Sequence, residues 1–122
     1  MISTLVMLAT LGSNVTHATS PVAPSEVRGT WLTTTANEAI SSPANTSVTM
    51  KRLREIGLNT VYVEIWKNGY TEFPSNTAKK FTNSELRINS SPSGAIQRDL
   101  LQETLIEAHR NGLIYIAWFE YG

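Results

Sequence analysis

Two carboxylates at the ends of strand-like segments are the residues best placed for chemistry. Glu64 lies in NTVYVEIW (59–66) and Glu120 in LIYIAWFEYG (113–122). Two carboxyl groups brought together can exchange a proton with a substrate or attack an electrophilic carbon. Large polar and aromatic side chains accompany them, with Trp66 beside Glu64 and Tyr121 beside Glu120. Lys67, Asn68, Gly69 and Tyr70 follow the first of these segments directly. Other chemistries are excluded by composition. With no cysteine there is neither a disulfide nor a thiolate metal site. Two histidines, His17 and His109, are too few and too far apart for a zinc centre, so no metal or organic cofactor is expected. Ten basic residues balance ten acidic ones, which gives no electrostatic reason to expect nucleic acid or an anionic membrane surface as partner.

The elements that must position these residues follow from periodicity. EVRGTWLT (26–33) reads as a strand, with Val27, Gly29, Trp31 and Thr33 on one face and Arg28, Thr30 and Leu32 on the other. Thr46 to Ile56 reads as a helix, capped by Asn45 or Thr46, with Met50, Leu53 and Ile56 as its apolar stripe and Gly57 as its end. The next strand puts Val61, Val63 and Ile65 on a face that packs under helices, and Tyr62, Glu64 and Trp66 on the opposite face. Residues 67–98 show little periodicity and are punctuated by Asn68-Gly69 and Pro74-Ser75, so they read as a long loop whose apolar members pack down in part. A second helix starts at Asp99 with Gln102 completing a capping pattern, and carries Leu101, Leu105 and Ala108 as its buried stripe. A third strand follows Gly112. The order helix, glycine, strand occurs twice, in REIGLNTVYVE (54–64) and HRNGLIYIA (109–117).

Strands joined through helices run parallel, which leaves an open doubly wound sheet or a closed (β/α)8 barrel. TTTANEAISSP (33–43) stands where a nucleotide-binding fold carries its glycine-rich phosphate turn. The expected class is therefore α/β: the first three parallel strands and two helices of an incomplete (β/α)8 TIM barrel. On this reading the chain stops inside its fold. Residues 1–18 read as a signal peptide, because Leu5 to Leu11 is a short apolar run followed by the small-x-small triplet Thr16-His17-Ala18. Residues 19–25 form a linker, and 26–122 the barrel part. Export to the periplasm or beyond is expected. A stable membrane span is not, since the run is too short to cross a bilayer.

Four blocks together resemble the family-10-like glycosyl hydrolases: EVRGTWLTT (26–34), LREIGLNTVYVEIWKNGYTEFPS (53–75), RDLLQETLIEAHRNGL (98–113) and IAWFEYG (116–122). The resemblance implies a TIM barrel and hydrolysis of glycosidic bonds in a polysaccharide or cell-wall glycan, with a polysaccharide or oligosaccharide as partner. By analogy with related barrels, the main acid/base and nucleophile are expected on strands four and seven, beyond Gly122. A non-catalytic carbohydrate-binding protein or an inactive fragment is the alternative.

Glycoside hydrolysis uses two carboxyl groups about 5–5.5 Å apart for retention and roughly 6.5–9.5 Å for inversion. Glu64 and Glu120 are the candidate catalytic pair in this chain. Neighbouring strands about 4.8 Å apart would allow them to meet. However, aligning Tyr62 with Tyr115 turns the two acids to opposite faces unless the strand bulges. Glu64 as a paired, sugar-binding or orienting residue is the competing role. Trp31, Trp66, Tyr70 and Trp118 are candidate platforms for the apolar face of a pyranose. Lys67 and Asn68 stand at the rim as candidate substrate contacts.

Overall fold

A computed structural model of the chain describes residues 26–83 and 98–121. The expected signal peptide and linker lie outside the described residues. The elements run β1 (Gly29–Leu32), α1 (Pro43–Glu55), β2 (Thr60–Lys67), β3 (Tyr70–Thr71), α2 (Asn76–Thr82), α3 (Leu100–Arg110) and β4 (Ile114–Phe119).

The central strand is β2. It pairs in parallel with β1, with Gly29 opposite Thr60 and Leu32 opposite Val63. On its other side it pairs in parallel with β4, from Thr60 opposite Ile114 to Trp66 opposite Phe119. The pairing slips between Glu64 and Trp66, a bulge that leaves Ile65 without a counterpart on β4. The two-residue β3 folds back antiparallel on the end of β2. The described residues thus make a mixed α/β sheet with three helices. Among the described residues the sheet has four strands where three were expected, because β3 adds to it, and four strands do not close a barrel.

One face of the sheet carries the core. Val61, Val63 and Ile65 are buried there with Leu32, Met50, Leu100, Ala108 and Leu113. Fully burying each large aliphatic chain stabilises by about 1.5–3 kcal/mol. The helices that cover this face differ from expectation in phase. The α1 helix starts three residues early, because Ser42 is its cap: the Ser42 hydroxyl accepts from the Asn45 amide at 3.1 Å. Pro43 follows at the first helical position, where its missing N–H costs nothing. Thr46 is therefore interior and fully buried, and Ile56, expected on the apolar stripe, is 72% exposed past the helix end. In α3 Asp99 caps as expected, accepting from the Gln102 amide at 2.9 Å. Its most buried line is Leu100, Thr104 and Ala108, rather than Leu101, Leu105 and Ala108. Polar groups seal the helix pair. Thr46 donates to Glu103 at 2.7 Å, and Glu103 is ion-paired with Arg98, which also donates to the Ile40 and Ser41 carbonyls.

Residues 67–98, read as a loop, contain structure. Asn68 and Gly69 both have positive φ (51° and 79°), the backbone of a tight hairpin turn between β2 and β3. Ser75 caps α2, its hydroxyl accepting from the Ala78 amide at 3.1 Å.

Candidate functional site

The site lies where β2 and β4 end. Alternation puts Tyr62 and Glu64 on the sheet face away from α1 and α3, but the bulge interrupts it: Trp66 pairs with Phe119, the residue after Trp118, and so turns to the opposite face from Glu64, against expectation. Across β2, Tyr62 faces Ile116 and Glu64 faces Trp118. The expected Tyr62–Tyr115 match is off by one residue. Tyr115 instead lies opposite Val61, on the helix side, where its hydroxyl is 3.0 Å from that of Thr104. Burial there pushes the Tyr115 hydroxyl up to about 12, the Thr104 contact opposing and the Asp99 carboxylate adding to the rise.

The shifted register turns Glu120 toward Glu64, reversing the expectation that the two acids face apart, and the bulge brings Lys67 level with Glu120 on that face. The Glu120 amide donates to the Trp66 carbonyl at 3.0 Å, which holds the end of the fourth strand level with the end of the second. Lys67 then bridges the carboxylates. Its Nζ is 2.7 Å from Glu120 Oε2 and 3.2 Å from Glu64 Oε1. The two acids lie close, with an ammonium between them.

Glu64 is fully buried. Its Oε2 accepts from the Thr33 hydroxyl at 2.5 Å and from the Thr34 amide at 2.7 Å. Its Oε1 has the Lys67 ion pair but no well-angled hydrogen bond. Burial by itself would raise the Glu64 carboxyl. The Thr33 hydroxyl, the Thr34 amide and the Lys67 ammonium outweigh it and hold the group below its usual 4.5. The Lys67 ammonium is raised, chiefly by its hydrogen bond to Glu120, against partial desolvation and with help from Glu64. Glu64 is thus a carboxylate and Lys67 an ammonium at neutral pH.

Aromatic side chains flank this cluster. Trp66 and Phe119 meet at 6.3 Å between ring centroids. With Phe73, Phe81 and Thr71 they line an open groove of about 430 Å³. Trp118 is half-buried opposite Glu64. Tyr70 is 39% exposed on β3, across the hairpin from Lys67, and Asn68 is exposed in its turn. Trp31 stands apart from the cluster, stacked on Tyr62 at 4.7 Å and 61% exposed on the same sheet face. The structure therefore gathers Glu64, Lys67, Trp118 and Glu120, while Trp66 is turned to the other face with Phe119 and Tyr70 lies at the margin.

Sequence reasoning missed Thr33, Thr34, Phe119 and the groove residues Phe73 and Phe81. Thr33 was within reach, because alternation along the first strand places it on the Trp31 face and β1 lies against β2. Among the described residues no group of three or more metal-ligating side chains is present. No described helix is long and apolar enough to cross a membrane.

Residues 26–122 match the family described as glycosyl hydrolase-like 10. No curated protein and no solved structure matches the chain.

Proposed function

We propose, from the premise that this chain belongs to the glycosyl hydrolase-like 10 family, that it holds a glycan at the carboxyl ends of β2 and β4 and forms one wall of a cleft for glycosidic-bond hydrolysis. The substrate class is a polysaccharide or cell-wall glycan. The observation that carries this reading is the convergence of Glu64, Lys67 and Glu120, with Trp118 opposite Glu64. Carboxylates offer acceptors to sugar hydroxyls, and aromatic faces accept the apolar C–H side of a pyranose. The parallel β1–β2–β4 pairing, with α1 and α3 on one face, supports placing the sheet in a (β/α)8 barrel whose interior holds Trp31, Tyr62, Glu64 and Trp118. Active sites in that fold lie at the carboxyl ends of the strands. The leader-like run Leu5 to Leu11 supports export.

Glu64 is a binding or orienting group in this scheme, not the general acid. A general acid must keep its proton near working pH, and the donors around Glu64 favour its ionised form. The same pairing favours a second reading, binding without turnover, because both candidate acids are committed to Lys67.

Binding and turnover can be measured together. The full chain is titrated by calorimetry with soluble neutral oligosaccharides of the cellulose, xylan and chitin types, and release of reducing ends from the polymers is followed. Binding is expected for at least one type, and Trp118→Ala should weaken it roughly ten-fold, equivalent to about 1.4 kcal/mol. Reducing-end release would establish turnover, whereas binding alone would select the second reading. No binding by the wild type, or binding untouched by Trp118→Ala, would sink the proposal.

A further inference from the structure

Lys67 occupies a constrained position. It is the last residue of β2 and pairs with Tyr70 across the Asn68–Gly69 turn, so the hairpin pins its backbone. Its side chain turns back toward Glu64 at 3.2 Å and reaches sideways to Glu120 at 2.7 Å. One ammonium therefore ties the interior of β2 to the end of β4, on the side where the bulge has shifted the pairing. The side chains of Lys67 and Glu120 are each 17% exposed, while that of Glu64 is fully buried. Outward-facing capacity thus remains on Glu120 rather than on Glu64.

We infer that Lys67 is a positioning residue, whose ammonium locks the Glu64 and Glu120 carboxylates into one cluster that presents Glu120 to the hydroxyls of a neutral glycan. This rests on the glycan reading of the site given above. Lys67 itself is poorly placed to receive a substrate carboxylate, since two protein carboxylates already claim it. Two carboxylates against one ammonium also leave the cluster negative, which disfavours uronic acids and other anionic sugars. Tyr70 faces Lys67 across the hairpin, and Glu72 is buried beyond it with its amide on the Ile65 carbonyl. No other charged side chain is ion-paired with Lys67 among the described residues.

The test compares the full wild-type chain with Lys67→Met and Lys67→Arg. Carboxyl ¹³C NMR follows the titration of Glu64 and Glu120, with Glu72 followed alongside. Calorimetry follows a neutral oligosaccharide that the wild type binds and, as the contrasting arm, an oligouronide. Lys67→Met should move the Glu64 titration upward and weaken neutral-glycan binding roughly ten-fold. Lys67→Arg should restore most of both effects, and the oligouronide should bind more weakly than the neutral sugar throughout. A folded Lys67→Met chain with the Glu64 titration unmoved overturns the inference. So does unchanged glycan binding despite a moved Glu64 titration, which would leave Lys67 a purely structural ion pair. If Lys67→Met fails to fold, Glu120→Gln decides: it should keep the fold and lose neutral-glycan affinity, and unchanged affinity overturns the inference. If the wild type binds no glycan, the glycan reading fails by itself, and the titrations alone show whether Lys67 couples the acids.

Discussion

Glu64 illustrates how a buried carboxylate is tolerated. Removing such a group from water is costly unless donors replace the lost hydration. Here Thr33 and Thr34 donate to one oxygen and Lys67 approaches the other. Glu64→Gln keeps the size but turns an acceptor-only group into one with an N–H pair, which must oppose either those donors or the ammonium. It is expected to lower unfolding stability by about 1.5–3 kcal/mol, measured by chemical denaturation. The pH dependence has a definite sign. A carboxyl held below its ordinary 4.5 in the folded state contributes stability that is present above 4.5 and is lost as pH falls through the lower folded value. Wild type should therefore lose stability more steeply than Glu64→Gln below about pH 4.5. Parallel acid profiles for the two proteins would show that Glu64 is not ionised by these contacts.

At the scale of elements, the sheet depends on one close approach. A Cβ added to Gly29 would sit 2.9 Å from Tyr62 Cε2 and 3.3 Å from the Thr60 carbonyl oxygen. The Tyr62 ring cannot simply yield, because Trp31 is stacked on it. Gly29→Ala should thus push β1 from β2, costing about 1–3 kcal/mol as overpacking. It should also disturb Glu64, since Thr33 and Thr34 ride on the end of the same strand. Reduced thermal stability with altered Trp31 fluorescence would register the shift, and an unchanged melting temperature would contradict it. The hairpin and α2 belong to this scale too. Asn68-Gly69 and Ser75 are ordinary hairpin and cap signals. In the sequence they read only as loop punctuation, because a two-residue strand and a seven-residue helix are too short to show periodicity.

Across the whole molecule, the two faces of the sheet are unequal. One is closed by α1 and α3. The other leaves Trp31 61% and Ile116 39% exposed. Among the described residues, the outer edges of β1 and β4 also have no strand partner. Apolar surface beside open edges promotes association. The chain should therefore form concentration-dependent oligomers in light scattering coupled to size exclusion. Trp31→Lys combined with Ile116→Lys should shift the population toward monomer. A wild type that stays monomeric and unfolds in one sharp transition would contradict this.

Much of the layout was legible in the linear chain, because side-chain alternation is a local property. It identifies Val61, Val63 and Ile65 as the covered face and Tyr62 and Glu64 as the other, though not the turning of Trp66 by the bulge, and the capping pattern at Asp99 marks where α3 starts. The family resemblance was equally readable in ordered blocks. The meeting of Glu64 with Glu120 was not. It depends on how β4 slides against β2 and on one bulged residue, Ile65. A single-residue slip exchanges the faces of every side chain on a strand. Register is settled by packing between distant segments, here β4 against β2, and no local pattern encodes it.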